Sequence, residues 1–154
     1  MRLKRFNLKI SKKILPFSKT IKVDADKSIS IRSLLIAAIS QNISVARNIL
    51  ESDDVFSTIN CLKKLGVKIK KLNTKNYLIY GKGLGSLYLK KNAKLNFGNS
   101  GTLARLLIGI LSTTPGITVN IGGDHSLNKR SMKKLIHLMN EFGAFFLQFL
   151  ILIT

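Results

Sequence analysis

Residues 97–112 read FGNSGTLARLLIGILS, a polar turn between two glycines that leads into an apolar helical run. The glycines let the backbone approach a ligand closely, and the free N–H groups at the start of a helix favour an anion. Thr102 and Arg105 add a hydroxyl and a guanidinium fork. An ordinary helix cap is the alternative. It explains Asn99 or Ser100 but not both glycines with an arginine, and the ending of an ATP-binding loop, Gly-Lys-Ser/Thr, does not follow.

The apolar pattern of this stretch also occurs 72 residues earlier, in the run from Ile29 to Ser40. The six positions that match are Ser28, Leu34, Leu35, Ile36, Ile39 and Ser40 with Ser100, Leu106, Leu107, Ile108, Leu111 and Ser112. A later helix matches at 77 residues, pairing Val55, Ile59, Leu62, Leu65 and Gly66 with Met132, Ile136, Met139, Phe142 and Gly143. The sequence therefore favours two copies of one strand–helix–strand–helix unit, against chance similarity between amphipathic helices.

The remaining elements follow from shorter patterns. Asp53 and Asp54 begin a helix that Gly66 ends, and a further helix covers 132–142. Alternating or short apolar runs predict strands at 3–10, 20–23, 67–69, 77–80 and 87–89.

Two further cationic segments lie at predicted helix starts. Residues 26–32 read DKSISIR, where Lys27, Ser28 and Arg32 present an ammonium, a hydroxyl and a guanidinium. Residues 122–132 read GGDHSLNKRSM, a glycine turn that leads to Lys129 and Arg130. Taken alone, each of these segments is explained equally well by a helix cap and solvated surface charges. Because all three segments end strands and open helices in related units, we expect them to form one cationic cleft.

Composition narrows the classes of partner. Lys and Arg number 26 against 7 Asp and Glu, a formal net charge of +19, which suits an anionic metabolite, nucleic acid or membrane surface. A lysine-rich composition alone is an equally good explanation, and no aromatic platform for nucleic acid is visible. The apolar runs are too short for a membrane span, no signal peptide is evident, and the cytoplasm is expected. Cys61 is the only cysteine and is expected to be buried and inert, and no metal site is expected.

The three segments together resemble the N-terminal signatures of the EPSP synthase (3-phosphoshikimate 1-carboxyvinyltransferase) family, in the same order and at about the same spacing. The resemblance implies an α/β (α+β) fold of inside-out enolpyruvyl transferase repeats, with one domain largely present and the second mostly missing. It assigns residues 1–20 to a strand segment of that second domain and 21–144 to an incomplete N-terminal domain with two internal repeats. Residues 145–154 form a divergent apolar tail.

The resemblance also implies a transferase of the shikimate pathway of aromatic amino acid biosynthesis. It moves the enolpyruvyl group of phosphoenolpyruvate to the 5-hydroxyl of shikimate 3-phosphate, without a cofactor or a metal, and family members are usually monomeric. Lys27 would contact both substrates and act in catalysis. The other implied roles are shikimate 3-phosphate binding by Ser28 and Arg32, phosphoenolpyruvate binding by Asn99, Gly101 and Arg130, and support from Thr102 and Arg105.

Some features depart from the family pattern. Ile31 replaces a polar residue and Ser131 replaces a proline after Arg130. The apolar run 145–154 resembles a frameshifted or prematurely ended reading frame, or else a genuine terminal strand, and without charge or proline it predicts aggregation. We expect a truncated chain that does not turn over its substrates alone. The alternatives are an inactive fragment that keeps an anion-binding cleft, or a basic nucleic-acid-binding domain.

Overall fold

The structure is a computed structural model that describes residues 9, 11, 16, 18, 20, 23–90, 93–146 and 151–153. These residues contain both helices and strands. The helices are α1 Lys27–Ile39, α2 Asp53–Lys64, α3 Gly101–Ser112, α4 His125–Asn128 and α5 Lys133–Glu141. The strands are β1 Ile43–Ala46, β2 Lys68–Asn73, β3 Asn76–Tyr80, β4 Lys94–Asn96, β5 Val119–Gly122 and β6 Ile151–Ile153. Their order along the chain is α1, β1, α2, β2, β3, β4, α3, β5, α4, α5 and β6.

Side chains fix where the helices begin and end. The Asp26 carboxylate accepts a hydrogen bond from the Ile29 N–H at 2.7 Å, so α1 begins at Lys27, two residues earlier than expected. Ser28 therefore lies in the first turn of α1. The buried Ser100 hydroxyl caps α3 by accepting a hydrogen bond from the Leu103 N–H. Gly66 follows α2 with a φ of +86°, the left-handed conformation that a closing glycine adopts.

The strands form two three-stranded sheets. The first has the order β1–β3–β2 and is antiparallel throughout. The second has the order β4–β5–β6, in which β4 runs parallel and β6 antiparallel to β5. The predicted strands at 67–69 and 77–80 correspond to β2 and β3.

The other strand predictions differ in outcome. Residues 87–89 are wrong as a strand: Leu87 is buried, but this segment is a loop whose nearby backbone bond joins Tyr88 N–H to Leu65 C=O. The predictions at 3–10 and 21–22 fall outside the described residues, apart from position 9, and positions 20 and 23 are not in a strand. The short helix α4 was not predicted.

The core is one cluster of buried apolar side chains from α1, α2 and α3, together with strand residues such as Ile79 and Val119. The central side chains of α1 and α3, Leu34 and Leu107, are fully buried, and the two helices contact each other. This combination of helices and sheets agrees with the expected fold class. In the part of the chain that the structure describes, no helix combines the length and apolar character needed to cross a membrane.

Burial corrects the residue pairing between α1 and α3. At a spacing of 72, the fully buried Leu34 is paired with Leu106, which is 40% exposed. A spacing of 73 pairs Leu34 with Leu107 and Leu35 with Ile108, all buried. The earlier pairing matched apolar letters, and Leu106 is an apolar residue on the exposed side of α3. Internal duplication stays a prediction, now with this register.

The pairing at 77 agrees with the backbone at its last position. Gly143 follows α5 with a φ of +87°, almost the same value as Gly66. In the tail, Phe145 is exposed, but Ile151–Ile153 forms β6, with Ile153 opposite Val119. Residues 151–153 thus form a strand beside β5, whereas the origin of the tail and its tendency to aggregate stay predictions.

Candidate active site

The starts of α1 and α3 lie side by side and border one cleft. The Ser28 Oγ is 3.5 Å from the Thr102 Oγ1, each being the second residue of its helix. The cleft has a volume of about 380 Å³. Its lining residues are Lys27, Ser28, Asp54, Asn99, Gly101, Thr102, Arg105 and Arg130. Two helix N-termini, two hydroxyls and three cationic side chains therefore face the same space, which suits an anionic ligand.

Lys27 forms an ion pair with Asp54, which also lines the cleft. Its ammonium nitrogen lies 2.8 Å from the Asp54 Oδ2. Asp54 sits in the first turn of α2, where the helix N-terminus favours a carboxylate, and its side chain is only 16% exposed. The Lys27 side chain is 49% exposed, so the ammonium remains accessible from the cleft.

Gly101 makes room for two guanidinium groups. A methyl group at this position would lie 2.8 Å from the Nη1 of both Arg105 and Arg130. Arg105 is anchored by donating to the Gly101 carbonyl at 3.2 Å. A side chain here would therefore displace one or both guanidinium groups from the start of α3.

Arg130 is positioned by the loop around α4. Its Nη2 donates to the Asn99 Oδ1 at 2.5 Å, and its backbone N–H donates to the Leu127 carbonyl. The Asp124 carboxylate caps α4 by accepting from the Leu127 N–H at 2.7 Å. The Asp124 N–H in turn donates to the Gly98 carbonyl. These bonds tie the second and third cationic segments together, although 31 residues separate Asn99 from Arg130.

Two sequence-based site residues do not reach this cleft. Arg32 lies one turn further along α1, is exposed, and is not among the residues that line the cleft. Lys129 is exposed and also lies outside it. Ile31, which departs from the family pattern, is fully buried in the core, so an apolar side chain is what this position accommodates.

Sequence reasoning missed Asp54 as a site residue. Asp53 and Asp54 were both explained as acids at a helix start, and Asp54 is 27 positions from its partner Lys27. Asp53 and Asp54 are adjacent first-turn acids, and the sequence does not distinguish their roles. Only the packing of α2 against α1 brings one of them to the cleft and leaves Asp53 exposed.

Cys61 is unreactive, as expected. Its side chain is 1% exposed, and burial raises the pKa of the thiol to about 12. Its Sγ donates to the Asn96 carbonyl at 3.2 Å. Within residues 23–90 and 93–146, no three His, Cys, Asp or Glu side chains come together as metal ligands would.

Comparison with known proteins shows the family of this chain. The sequence model of EPSP synthase (3-phosphoshikimate 1-carboxyvinyltransferase) matches residues 11–146. The chain belongs to the EPSP synthase family. A 3-phosphoshikimate 1-carboxyvinyltransferase of Syntrophomonas wolfei is 38% identical over 136 residues, which cover 88% of this chain and 31% of that protein. The corresponding protein of Oceanobacillus iheyensis is 41% identical over 125 residues, covering 81% of this chain and 28% of that protein.

A solved structure of EPSP synthase from Acinetobacter baumannii superposes on this chain with a TM-score of 0.74 and 33% sequence identity. The match covers 81% of this chain and 28% of that one. The fold class expected from the three motifs is thereby confirmed. This EPSP synthase-family chain spans about 30% of the length of the curated relatives it matches.

Proposed function

We propose that this chain provides the anion-binding wall of an enolpyruvyl transfer site, which acts on phosphoenolpyruvate and shikimate 3-phosphate in aromatic amino acid biosynthesis. The observation that carries the proposal is the cleft at the starts of α1 and α3, where Lys27, Arg105 and Arg130 converge. Both substrates carry several negative charges, and the second is named in the enzyme name of the relatives. Family membership supports the reaction, and the cleft supports the kind of ligand.

The proposed roles divide the cleft between the substrates. Arg130 and Asn99 bind the phosphoenolpyruvate anion beside Gly101, where a side chain would obstruct the guanidinium. Ser28 binds shikimate 3-phosphate, and Lys27 lies between the two ligands. Thr102 and Arg105 support these contacts through the Ser28 hydroxyl and the Gly101 carbonyl. The resemblance gives Arg32 a contact with shikimate 3-phosphate. For this contact, the exposed Arg32 side chain must reach a ligand that extends beyond the cleft.

The reaction needs three proton movements. One proton is added to the methylene carbon of phosphoenolpyruvate, and another leaves the attacking hydroxyl as it bonds to the neighbouring carbon. When phosphate then departs, the new methyl group loses a proton and the enol ether forms. Among the residues that line the cleft, the amine and carboxyl side chains that could serve as general acid or base are Lys27 and Asp54, and these are paired with each other. We therefore propose that the 154-residue chain binds the substrates but does not complete the reaction on its own. We also propose that it binds them in the cytoplasm, as a monomer.

The test is titration of phosphoenolpyruvate, and separately shikimate 3-phosphate, into the purified chain. Arg130→Ala should weaken phosphoenolpyruvate binding by about tenfold or more, because it removes a charged donor to the anion. The matched control is Lys129→Ala, which removes a neighbouring cation outside the cleft and should change binding less than twofold. Equal losses in the two variants would mean that only bulk charge attracts the ligand.

A second measurement separates binding from catalysis. Phosphate release from both substrates together should stay at background for the chain alone. Turnover that disappears in Arg130→Ala would overturn the binding-only part of the proposal and establish a complete enzyme. Binding of a short DNA duplex that falls steeply with salt, with no response to either metabolite, would favour the nucleic-acid alternative instead.

A further inference from the structure

The Lys27–Asp54 pair differs from the other contacts in the cleft. Arg105 and Arg130 are held by neutral oxygens, those of the Gly101 carbonyl and the Asn99 amide. Lys27 is held by a carboxylate, at 2.8 Å. A negative charge on the wall of an anion-binding cleft opposes the ligand, so its presence requires a reason of its own.

Three features favour positions of the Lys27 ammonium outside the cleft. Lys27 is the first residue of α1, where the positive end of the helix dipole disfavours a cation. Arg105 and Arg130 line the same space and repel it. A lysine side chain also has several rotatable bonds, so an unpaired ammonium would spend most of its time in solvent.

Asp54 has the properties of a fixed anchor. It is a first-turn acid of the 12-residue helix α2, whose N-terminus stabilises the carboxylate independently of Lys27. Its side chain is 16% exposed, against 49% for Lys27, so the lysine is the more mobile partner. An ammonium has three donors, and one bond to Asp54 leaves two for a ligand.

We infer that Asp54 is a positioning residue, which keeps the Lys27 ammonium in the cleft and orients its remaining donors toward the bound anion. This inference rests on the proposed function for the identity of the ligand. The opposite arrangement is one in which Asp54 competes with the ligand for Lys27. The two differ in what removal of the carboxylate does to the contribution of Lys27 to binding.

A double-mutant cycle distinguishes them. Phosphoenolpyruvate affinity is measured for the wild-type chain, Lys27→Met, Asp54→Asn and the double variant. The general gain in affinity from loss of a negative charge appears in both lysine backgrounds and cancels in the cycle. We expect Lys27→Met to weaken binding about tenfold when Asp54 is present, and about threefold or less when it is Asn.

Each possible outcome of the cycle supports a different role for Asp54. A larger Lys27→Met effect in the Asp54→Asn background would mean competition, and an unchanged effect would mean that Asp54 has no influence on Lys27; either result overturns the inference. Asp53→Asn is the matched control, since it removes an equal charge from the same helix turn outside the cleft. In the Asp53→Asn background, Lys27→Met should still weaken binding about tenfold. In the Asp54→Glu background, which keeps a carboxylate, Lys27→Met should retain most of its effect on binding.

A ligand-free measurement keeps this inference distinct from the proposed function. The rate at which an amine-acylating reagent modifies Lys27 is followed by peptide mass spectrometry. Asp54→Asn should raise that rate about threefold or more, because the carboxylate no longer holds the ammonium, and Asp53→Asn should not. If the wild-type chain binds neither metabolite, the proposed function fails, whereas an unchanged labelling rate in Asp54→Asn would overturn the placement of Lys27 by Asp54.

Discussion

The two halves of the chain use a similar order of elements but bury them to different extents. In residues 27–80, α2 buries five side chains, including Val55, Ile59 and Leu62, and contacts α1, β2 and β4. In residues 94–146, α5 has no buried residue. Because most helical stability in proteins comes from packing an apolar face, α2 is the better anchored of these two helices. The cleft lies at the starts of α1 and α3, one from each half, and Arg130 precedes the loosely packed α5.

The largest expected effect tests this difference directly. Leu62→Ala in α2 should lower the free energy of unfolding by about 2–5 kcal/mol, because the side chain is fully buried and its removal leaves a cavity. The matched change in α5 is Leu138→Ala, where the side chain is 49% exposed, and we expect a change within about 0.5 kcal/mol. Urea denaturation measures both. Similar losses for the two variants would mean that α5 is packed as firmly as α2.

The closing glycines give a second, smaller contrast. Gly66 and Gly143 have nearly equal positive φ values, so alanine at either position costs about 1–2 kcal/mol in backbone strain. At Gly66 a methyl group would also overlap the Tyr88 ring, whereas at Gly143 it meets no atom of the described residues within 4 Å. We expect Gly66→Ala to cost about 1 kcal/mol more than Gly143→Ala, measured by thermal or urea unfolding.

The control for this contrast removes the obstacle. In a Tyr88→Ala background, the difference between Gly66→Ala and Gly143→Ala should disappear, leaving the backbone strain that both positions share. A difference that persists would show that Tyr88 is not its source.

These halves also show which parts of the fold local sequence can predict. Asp26, Ser100 and Gly66 act through contacts within a few residues, so the helices they bound were found to within two residues. A spacing of 73 between α1 and α3 matches burial better than the predicted 72, because letters alone do not distinguish the exposed Leu106 from the buried Leu107. The short helix α4 has four residues, too few for an apolar period to be visible.

The sequence predicted that the three cationic segments share one cleft, and Lys27, Ser28 and Arg130 do line the same cleft. Glycine-flanked turns and cations at helix starts identified Lys27, Gly101 and Arg130 from local chemistry. Asp54 could not be found in this way, since its relation to Lys27 depends on how α1 and α2 pack. Arg32 was predicted at the cleft because it lies one turn beyond Ser28, but the structure leaves it exposed outside the lining.

A polar network further distinguishes the first half. The Glu51 carboxylate, which lies just before α2, accepts from the Tyr77 hydroxyl at 2.6 Å and pairs with the Lys71 ammonium at 2.7 Å. It thereby joins the start of α2 to β2 and β3. Lys71 and then Tyr77 lower the pKa of Glu51 to about 2. Burial, and then the Glu51 contact, raise the pKa of Tyr77 to about 12.

The smallest expected effect is the pH dependence that this network gives to the first half. Since Glu51 has an ordinary pKa of 4.5 when unfolded and about 2 when folded, its stabilising contribution is present above pH 4.5 and is lost as the pH falls toward 2. Glu51→Gln should therefore flatten the fall in unfolding free energy between these values, measured by urea denaturation at several pH values. The matched variant in the second half is Glu141→Gln on α5, whose partner His137 is 3.5 Å away in an exposed pair. Such a pair contributes little in water, so Glu141→Gln should keep the wild-type slope; equal flattening in both variants would mean that the two halves do not differ in their polar contacts.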